Sequence, residues 1–130
     1  MVWTDYAWYH ICVGDPEKAL QLLDEREAVG PVPPNWHWEI RAEAFYDLGR
    51  YDAAVASYER MAHLPFWVHR TLAACHGQLG NIDKARSHWV QLLEAIPDSK
   101  AAREFTNLYA REAAVHEHWF QGLKKAGLAD

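Results

Sequence analysis

Histidine is the residue type in this chain best suited to metal binding, but its spacing argues against a metal site. Of the 130 residues, eight are histidines. Zinc needs three or four protein ligands. His69 and His76 would lie about 10 Å apart along a helix, too far for both to bind one ion. Glu112 and His116 offer only two ligands on one helical face. The sequence therefore predicts no metal and no cofactor.

Nucleophilic catalysis is poorly supported by the two cysteines, Cys12 and Cys75. Cys75 and His76 are neighbours in sequence, so on a helix their side chains point about 100° apart and cannot form the pair that activates a thiolate. The chain contains no Gly-rich phosphate loop, nucleophile elbow or HExxH pair. We predict a non-enzymatic protein with free, buried cysteines, which suits a reducing cytoplasm.

Charge and hydropathy narrow the class of partner. Lys and Arg number 13 against 18 Asp and Glu, which gives a formal net charge of −5. Because the charges are scattered and form no basic stripe, nucleic acid binding is not expected and basic partners are favoured. No window approaches 18 consecutive apolar residues, and the N-terminus lacks the pattern of a secretory signal. We therefore expect no membrane contact and a cytoplasmic location.

An acidic ladder is the clearest charged pattern. Glu39, Glu43 and Asp47 recur at four-residue intervals, which places them along one face of a helix. Such like-charge pairs destabilise an isolated helix by roughly 0.2–0.5 kcal/mol each. A cationic peptide would relieve this repulsion. The alternative is an ordinary solvated face, with the carboxylates offset by Arg41 and nearby lysines.

Three segments of the sequence share one residue pattern, which indicates a structural repeat. The segments CVGDPEKALQLL, DLGRYDAAVASY and QLGNIDKARSHW share a Gly, a bulky residue or Pro two positions later, an Ala at five and a large apolar residue at nine. The glycines are Gly14, Gly49 and Gly80, at intervals of 35 and 31 residues. This spacing is typical of a hairpin of two short helices repeated along the chain.

The arms on both sides of each glycine agree with this hairpin. Seven residues before the glycines stand Ala7, Ala42 and Ala73, where a small side chain lets a neighbouring helix approach closely. After the glycines, apolar residues fall on one helical stripe, as in Tyr51, Ala54, Val55, Tyr58, Met61 and Ala62. Proline-rich breaks separate the units, so we place repeats at about 2–33, 34–65 and 66–97 in a single domain, 1–130.

The C-terminal residues 98–126 depart from the repeat. Their pattern still predicts helix, in two segments, with Asp98 or Ser99 placed to cap the first and Lys124 and Lys125 before Gly127 at the end of the second. A solenoid needs a terminal element that covers its last face. We expect this segment to be that cap.

The chain resembles the tetratricopeptide repeat family. The second unit carries the family's pattern at Trp38, Ala42, Phe45, Gly49, Tyr51, Ala54 and Tyr58; the third does so at Ala73, Gly80, Ile82, Ala85, Trp89 and Pro97; the first matches through Trp3, Ala7, Gly14 and Ala19. The resemblance implies an all-α, right-handed superhelix of three helix-turn-helix repeats with C-terminal capping helices.

It also implies a function, because first helices in this family line a concave groove that binds a peptide or protein segment. The groove-facing positions are Thr4, Trp8, Ile11 and Cys12 in the first unit, Trp36, Glu39, Glu43, Tyr46 and Asp47 in the second, and Trp67, Arg70, Ala74 and Gln78 in the third. All of these except Thr4, Ile11, Cys12 and Ala74 are the peptide-binding candidates. This set combines aromatics, expected to be exposed, with carboxylates. The alternative is that the tryptophans simply pack between units.

Two further interpretations stay open. The ending HWFQGLKKAGLAD resembles repeat regions of bacterial class III nucleotide cyclases and winged-helix regulators, which implies a regulatory segment of a larger bacterial signalling protein. The alternative is a structural role in which the imperfect first unit, with its aromatic cluster of Trp3, Tyr6, Trp8 and Tyr9, or the aromatic-rich C-terminal tail pairs with a second copy to form a homodimer.

Overall fold

The computed structural model describes residues 7–11, 14–30, 32–104 and 113–128, and within these every regular element is an α-helix. The helices are α1 (residues 7–11), α2 (Pro16–Ala28), α3 (Asn35–Asp47), α4 (Tyr51–Glu59), α5 (Val68–Leu79), α6 (Ile82–Ala95), α7 (Ser99–Glu104) and α8 (Ala113–Lys125). The all-α class is confirmed, and the right-handed superhelix stays a prediction. Outside the described residues lie Trp3, Tyr6, Cys12, Glu112 and the side chain of His116.

One turn is used three times between the paired helices. Gly14, Gly49 and Gly80 have φ of 83°, 74° and 79°, a left-handed conformation that favours glycine. The next residue donates its amide to the carbonyl five positions earlier, at 2.7–2.8 Å: Asp15 to His10, Arg50 to Phe45 and Asn81 to His76. This is the bond that closes a Schellman helix end. The glycine period of the sequence is therefore the period of the turns.

The repeated alanines on both sides of the glycines are fully buried. Ala19, Ala54 and Ala85 donate their amides, at 3.0–3.2 Å, to the carbonyls of the residues that follow the glycines, and so begin the second helices. These three alanines, and also Ala7, Ala42 and Ala73, have no exposed surface. Their burial agrees with the prediction that small residues face neighbouring helices, and the closeness of the helix approach stays a prediction.

The chain forms two compact units, Met1–His63 and Leu64–Asp130, with the boundary next to Pro65. In the first unit α2 packs on α3, and α3 packs on α4. Its core contains Ala7, Ile11, Ala19, Leu23, Ile40 and Ala44, with Trp8, Leu20 and Leu22 partly buried against it. The imperfect first repeat therefore shares a core with the start of the second.

The end of the second repeat is held by Asn35. Its Oδ1 accepts from the Ala62 amide at 2.7 Å, and its Nδ2 donates to the His63 carbonyl at 2.6 Å. Because α4 ends at Glu59, Ala62 lies beyond the helix and is exposed. The prediction that Ala62 continues the apolar stripe of α4 was wrong at this position.

In the second unit α5 is the central helix, with α6 on one side and α8 packed against it as well. Ten consecutive residues of α5, from Val68 to Gly77, are buried. Cys75 is a free, buried thiol, as predicted, and burial raises its pKa. A reactive thiolate is therefore disfavoured at this position.

In the described parts of the C-terminal segment, residues 98–104 and 113–126, the structure is helical over Ser99–Glu104 and Ala113–Lys125, and the prediction of helix is confirmed there. The Asp98 side chain accepts from the Ala101 amide at 3.0 Å and caps α7. Lys124 and Lys125 lie in the last turn of α8, and Gly127 follows with a positive φ of 75°. Among the described helices, none has the length and apolar character needed to cross a lipid bilayer.

Candidate protein-binding surface

Two tryptophans occupy equivalent positions at the start of α3 and α5. Trp36 and Trp67 are 31 residues apart, the same interval as Gly49 and Gly80. They are 41% and 37% exposed, respectively. Phe66 is also exposed, and its ring lies edge-on to Trp67 with centroids 5.4 Å apart. Each unit therefore presents a large aromatic surface of the kind that anchors protein partners.

The acidic ladder of α3 is not uniformly solvated. Glu39 and Asp47 are half-buried, whereas Glu43 is buried with 3% exposure. A buried carboxylate is costly without compensating interactions, and Glu43 makes at least one interaction within the chain. Glu39 and Asp47 are thus the two rungs that retain some contact with solvent.

Tyr46 and Trp8 are placed differently from the expectation of exposed aromatics. Tyr46 has no exposed surface and packs edge-on to Tyr51, with ring centroids 5.0 Å apart. Trp8 is half-buried against the core of the first unit. The position of each residue in its repeat predicted that both would face the groove, like Trp36. Helical periodicity gives the direction of a side chain, but it does not show which neighbouring residues cover it. The placement of Trp8 fits the alternative in which the tryptophans pack instead of binding a partner. Ile11, also expected to face the groove, is buried in the same core, and Thr4 lies outside the described residues.

Arg41 does not offset the ladder in the way the solvated-face alternative supposed. Its guanidinium contacts two carboxylates of α2, with Nη1 2.8 Å from Asp24 Oδ1 and 2.9 Å from Glu27 Oε2. The fully buried His37 lies 3.5 Å from the same Glu27 oxygen. Burial lowers the pKa of His37, and Glu27 partly opposes that shift. The positive charge of Arg41 is therefore used to join α2 and α3.

The two polar candidates of α5 meet α8. Arg70 is 3% exposed, and its Cζ lies 4.7 Å above the centre of the Trp119 ring, a cation–π geometry. Gln78 Oε1 accepts from Lys125 Nζ at 2.6 Å, and Gln78 Nε2 donates to the His118 carbonyl at 3.4 Å. The third repeat's candidate positions are thus in contact with the C-terminal helix of the same chain.

The sequence profile of the tetratricopeptide repeat family matches residues 1–25, 35–60 and 67–91. The chain belongs to this family. Tetratricopeptide repeats generally mediate protein–protein interactions. Family membership therefore supports a general protein-binding role for this chain. No curated protein and no solved structure is significantly similar to the chain.

The family match and the helices agree in register. Residues 35–60 cover α3 and α4, and residues 67–91 cover α5 and most of α6. The match ends before α7, so α8 lies outside the tetratricopeptide repeats that it contacts. The resemblance of the C-terminal residues to repeat regions of nucleotide cyclases and winged-helix regulators is not supported by this match.

A histidine stack between α5 and α6 was missed by the sequence reasoning. The Nδ1 atoms of His69 and His88 are 3.0 Å apart, and the His88 ring lies parallel to that of His76 with centroids 5.6 Å apart. Burial, followed by the two neighbouring histidines, lowers the pKa of His88 to about 4. Burial also lowers the pKa of His69, against a smaller opposing effect of Glu94.

The stack is not a metal centre of the usual kind. Across residues 7–11, 14–30, 32–104 and 113–128, no three His, Cys, Asp or Glu side chains converge as metal ligands. The signal that could have found the stack is the hairpin itself: folding α6 back on α5 about Gly80 brings His88 opposite the α5 histidines. Its chemistry is that of a proton-sensitive contact within a tetratricopeptide hairpin.

Proposed function

We propose that this chain is a non-enzymatic scaffold that binds a peptide or a segment of another protein, with Trp36 as the aromatic anchor of the first unit and Trp67 as that of the second. The observation that carries the proposal is the exposure of both tryptophans at equivalent positions of consecutive tetratricopeptide repeats. An aromatic ring offers a large contact area with few rotors to freeze. Side chains that serve only the core are buried instead, as Trp38 is.

The charge next to the first anchor supports a basic partner. Glu39 follows Trp36 by one helical turn on α3, so the two side chains lie on one face. Asp47 lies two turns beyond Glu39 and retains some exposure. The chain as a whole carries a net charge of −5. A lysine or arginine one or two residues from an apolar side chain in the partner would meet both features of this face.

A selection from a random peptide library tests this function even while the natural partner is unidentified. The intact chain is expected to select peptides enriched in Lys or Arg beside a large apolar residue. Trp36→Ala should lose these peptides, and Glu39→Lys should reverse the charge preference. Glu25→Lys, which makes the same charge change at an exposed position of α2, is the matched control and should select like the wild type. Selection without basic enrichment, or equal retention by Trp36→Ala, would overturn the proposal.

Self-association is the second candidate, supported by Tyr9. This side chain is 58% exposed next to the half-buried Trp8 in the first repeat. A second copy of the chain would cover such an apolar surface. Light scattering across micromolar concentrations separates the two functions: a constant monomer mass removes the dimer, and a mass that doubles and falls again in Tyr9→Ser supports it. The cytoplasmic location, bacterial origin and signalling context stay predictions.

A further inference from the structure

The candidate face of α5 already has an occupant. We propose that α8 is an intramolecular ligand that covers this face, and that a partner reaches the third repeat by displacing α8 with an amphipathic helix of the same pattern. The inference rests on the proposed function and deepens it, because it gives the third repeat a different mode of binding from the second.

The contacts of α8 fall on one face of α5. Arg70, Ala74, Gly77 and Gln78 are spaced i, i+4, i+7 and i+8, which aligns them along the helix. Arg70 stacks on Trp119, and Gln78 bonds to Lys125. Of this face, the family resemblance assigned Arg70, Ala74 and Gln78 to the groove. Apart from Trp67, which stays exposed at the start of α5, the predicted binding positions of the third repeat therefore lie on the occupied face.

The pattern of α8 is that of a helical peptide ligand. In residues 117–128, which cover most of α8 and the turn after it, the buried residues are Trp119, Gly122, Leu123 and Ala126, at i, i+3, i+4 and i+7. This spacing is the anchor pattern of amphipathic helices that bind in grooves of other proteins. Glu117, just before the first anchor, and Gln121 and Lys124, between the anchors, are exposed. α8 thus has one binding stripe and one solvated side.

The backbones of α5 and α8 approach closely at two glycines, Gly77 and Gly122. A Cβ added to Gly77 would overlap the carbonyl oxygen of Gly122 and come within 3.2 Å of the Ala126 Cβ. Glycine inside a helix is unfavourable unless something requires the missing side chain. The α5 face therefore selects a helix with Gly at the crossing, an aromatic residue about one turn before it and a basic residue about one turn after it.

Some substitutions should release α8 from α5, and others should prevent any helix from binding to α5. Trp119→Ala removes the largest anchor of α8 and leaves every α5 side chain unchanged. Gly77→Ala closes the face to any helix. Lys125→Glu breaks the contact with Gln78, whereas Lys124→Glu makes the same charge change at a residue that pairs within α8, with Glu117 at 3.8 Å. These four substitutions can all be made in the full-length chain.

The test uses a fluorescein-labelled synthetic peptide of residues 113–128, AAVHEHWFQGLKKAGL, added to the full chain. An internal ligand reduces apparent affinity by the fraction of open protein. We expect Trp119→Ala to bind the peptide at least tenfold more tightly than the wild type, and Trp119→Ala/Gly77→Ala to lose that gain. Lys125→Glu should bind several-fold more tightly than Lys124→Glu.

Equal peptide affinity of the wild type, Lys125→Glu and folded Trp119→Ala would overturn the inference and make α8 a permanent part of the unit. Equal binding by Trp119→Ala and the double variant would also overturn it, since the peptide would then bind elsewhere. If Trp119→Ala fails to fold by circular dichroism, the two lysine variants decide. The proposed function is judged separately, because Trp36→Ala should lose library-selected peptides whether or not α8 opens.

Discussion

The first helices of the second and third repeats, α3 and α5, share a scaffold and differ in what they present. At equivalent positions α3 has Glu39, Glu43, Tyr46 and Asp47, where α5 has Arg70, Ala74, Gly77 and Gln78. The sharpest contrast is at the third pair: Tyr46 fills its space with a buried ring, and Gly77 leaves room for the backbone of α8. One repeat geometry therefore carries acidic residues on α3 and small residues, covered by α8, at the equivalent positions of α5.

Gly77→Ala should produce the largest effect on stability. Alanine improves the helix propensity of α5, so the substitution would be stabilising if α8 were not packed there. Because the added methyl group meets backbone, we expect a loss of about 1–3 kcal/mol in the free energy of unfolding of the second unit. Denaturant titration measures this loss. Gln91→Ala, at an exposed position of α6, is the control and should change little; a stabilised Gly77→Ala would contradict the contact.

Acid should affect the second unit more than the first. Folding lowers the pKa of His88 from 6.5 to about 4, so the unfolded chain binds the proton first and stability falls as pH drops from 6.5 towards 4. Since His88 is only partly buried, we expect a loss of roughly 1–3 kcal/mol.

Hydrogen exchange of α5–α6 and of α2–α3 at pH 7 and pH 5 measures this difference. His37 in the first unit also has a lowered pKa, but the nearby Glu27 favours its protonated form, so α2–α3 should lose less protection. His88→Gln should remove most of the extra loss in the second unit. Equal acid sensitivity of the two units would show that the histidine stack is not its source.

Glycine substitutions in the turns should destabilise both units by similar amounts, whereas the candidate binding residues of α3 and α5 differ. Gly49→Ala and Gly80→Ala each place a side chain at a positive φ near 75–80°. A left-handed conformation costs an L-residue roughly 1–2 kcal/mol, with open space around both positions. Thermal unfolding should therefore show similar losses for the two variants. A loss confined to one of them would mean that the two turns are not equivalent.

Arg41→Ala should have the smallest effect. Arg41 joins α2 and α3 through Asp24 and Glu27, but Asp24 is largely exposed, and such ion pairs contribute about 0–1 kcal/mol. We expect a loss of about 0.5 kcal/mol in denaturant titration, reduced further by added salt. A loss that is large and independent of salt would instead indicate that the Arg41 stem packs in the core.

The parts of the fold that could be predicted are those with a local and repeated signal. The glycines fix the turns because only that residue readily adopts their positive φ, and the alanines mark the contacts between helices because both recur with the same period. The cap helices were likewise predicted from their end residues. Each of these inferences depends on residues within one hairpin.

The candidate site was predicted less well because its environment is made by distant residues. The helical phase gave the side on which Tyr46 and Arg70 lie, but not that Tyr46 would be covered or that Arg70 would meet Trp119, 49 positions later. One signal was present: Gly77 and Gly122 are both glycines inside helices, which cost stability unless backbones approach closely. Their pairing could have been proposed, although not proved, from the sequence.

If α8 is a displaceable ligand, it must leave α5 while the third repeat stays folded. Native-state hydrogen exchange on the unmodified chain tests it most directly, because each helix reports its own opening. We predict that the amides of α8 exchange at least tenfold faster than those of α5 and that the difference persists at low denaturant. Exchange of α5 and α8 at one common rate, equal to that of global unfolding, would contradict the claim.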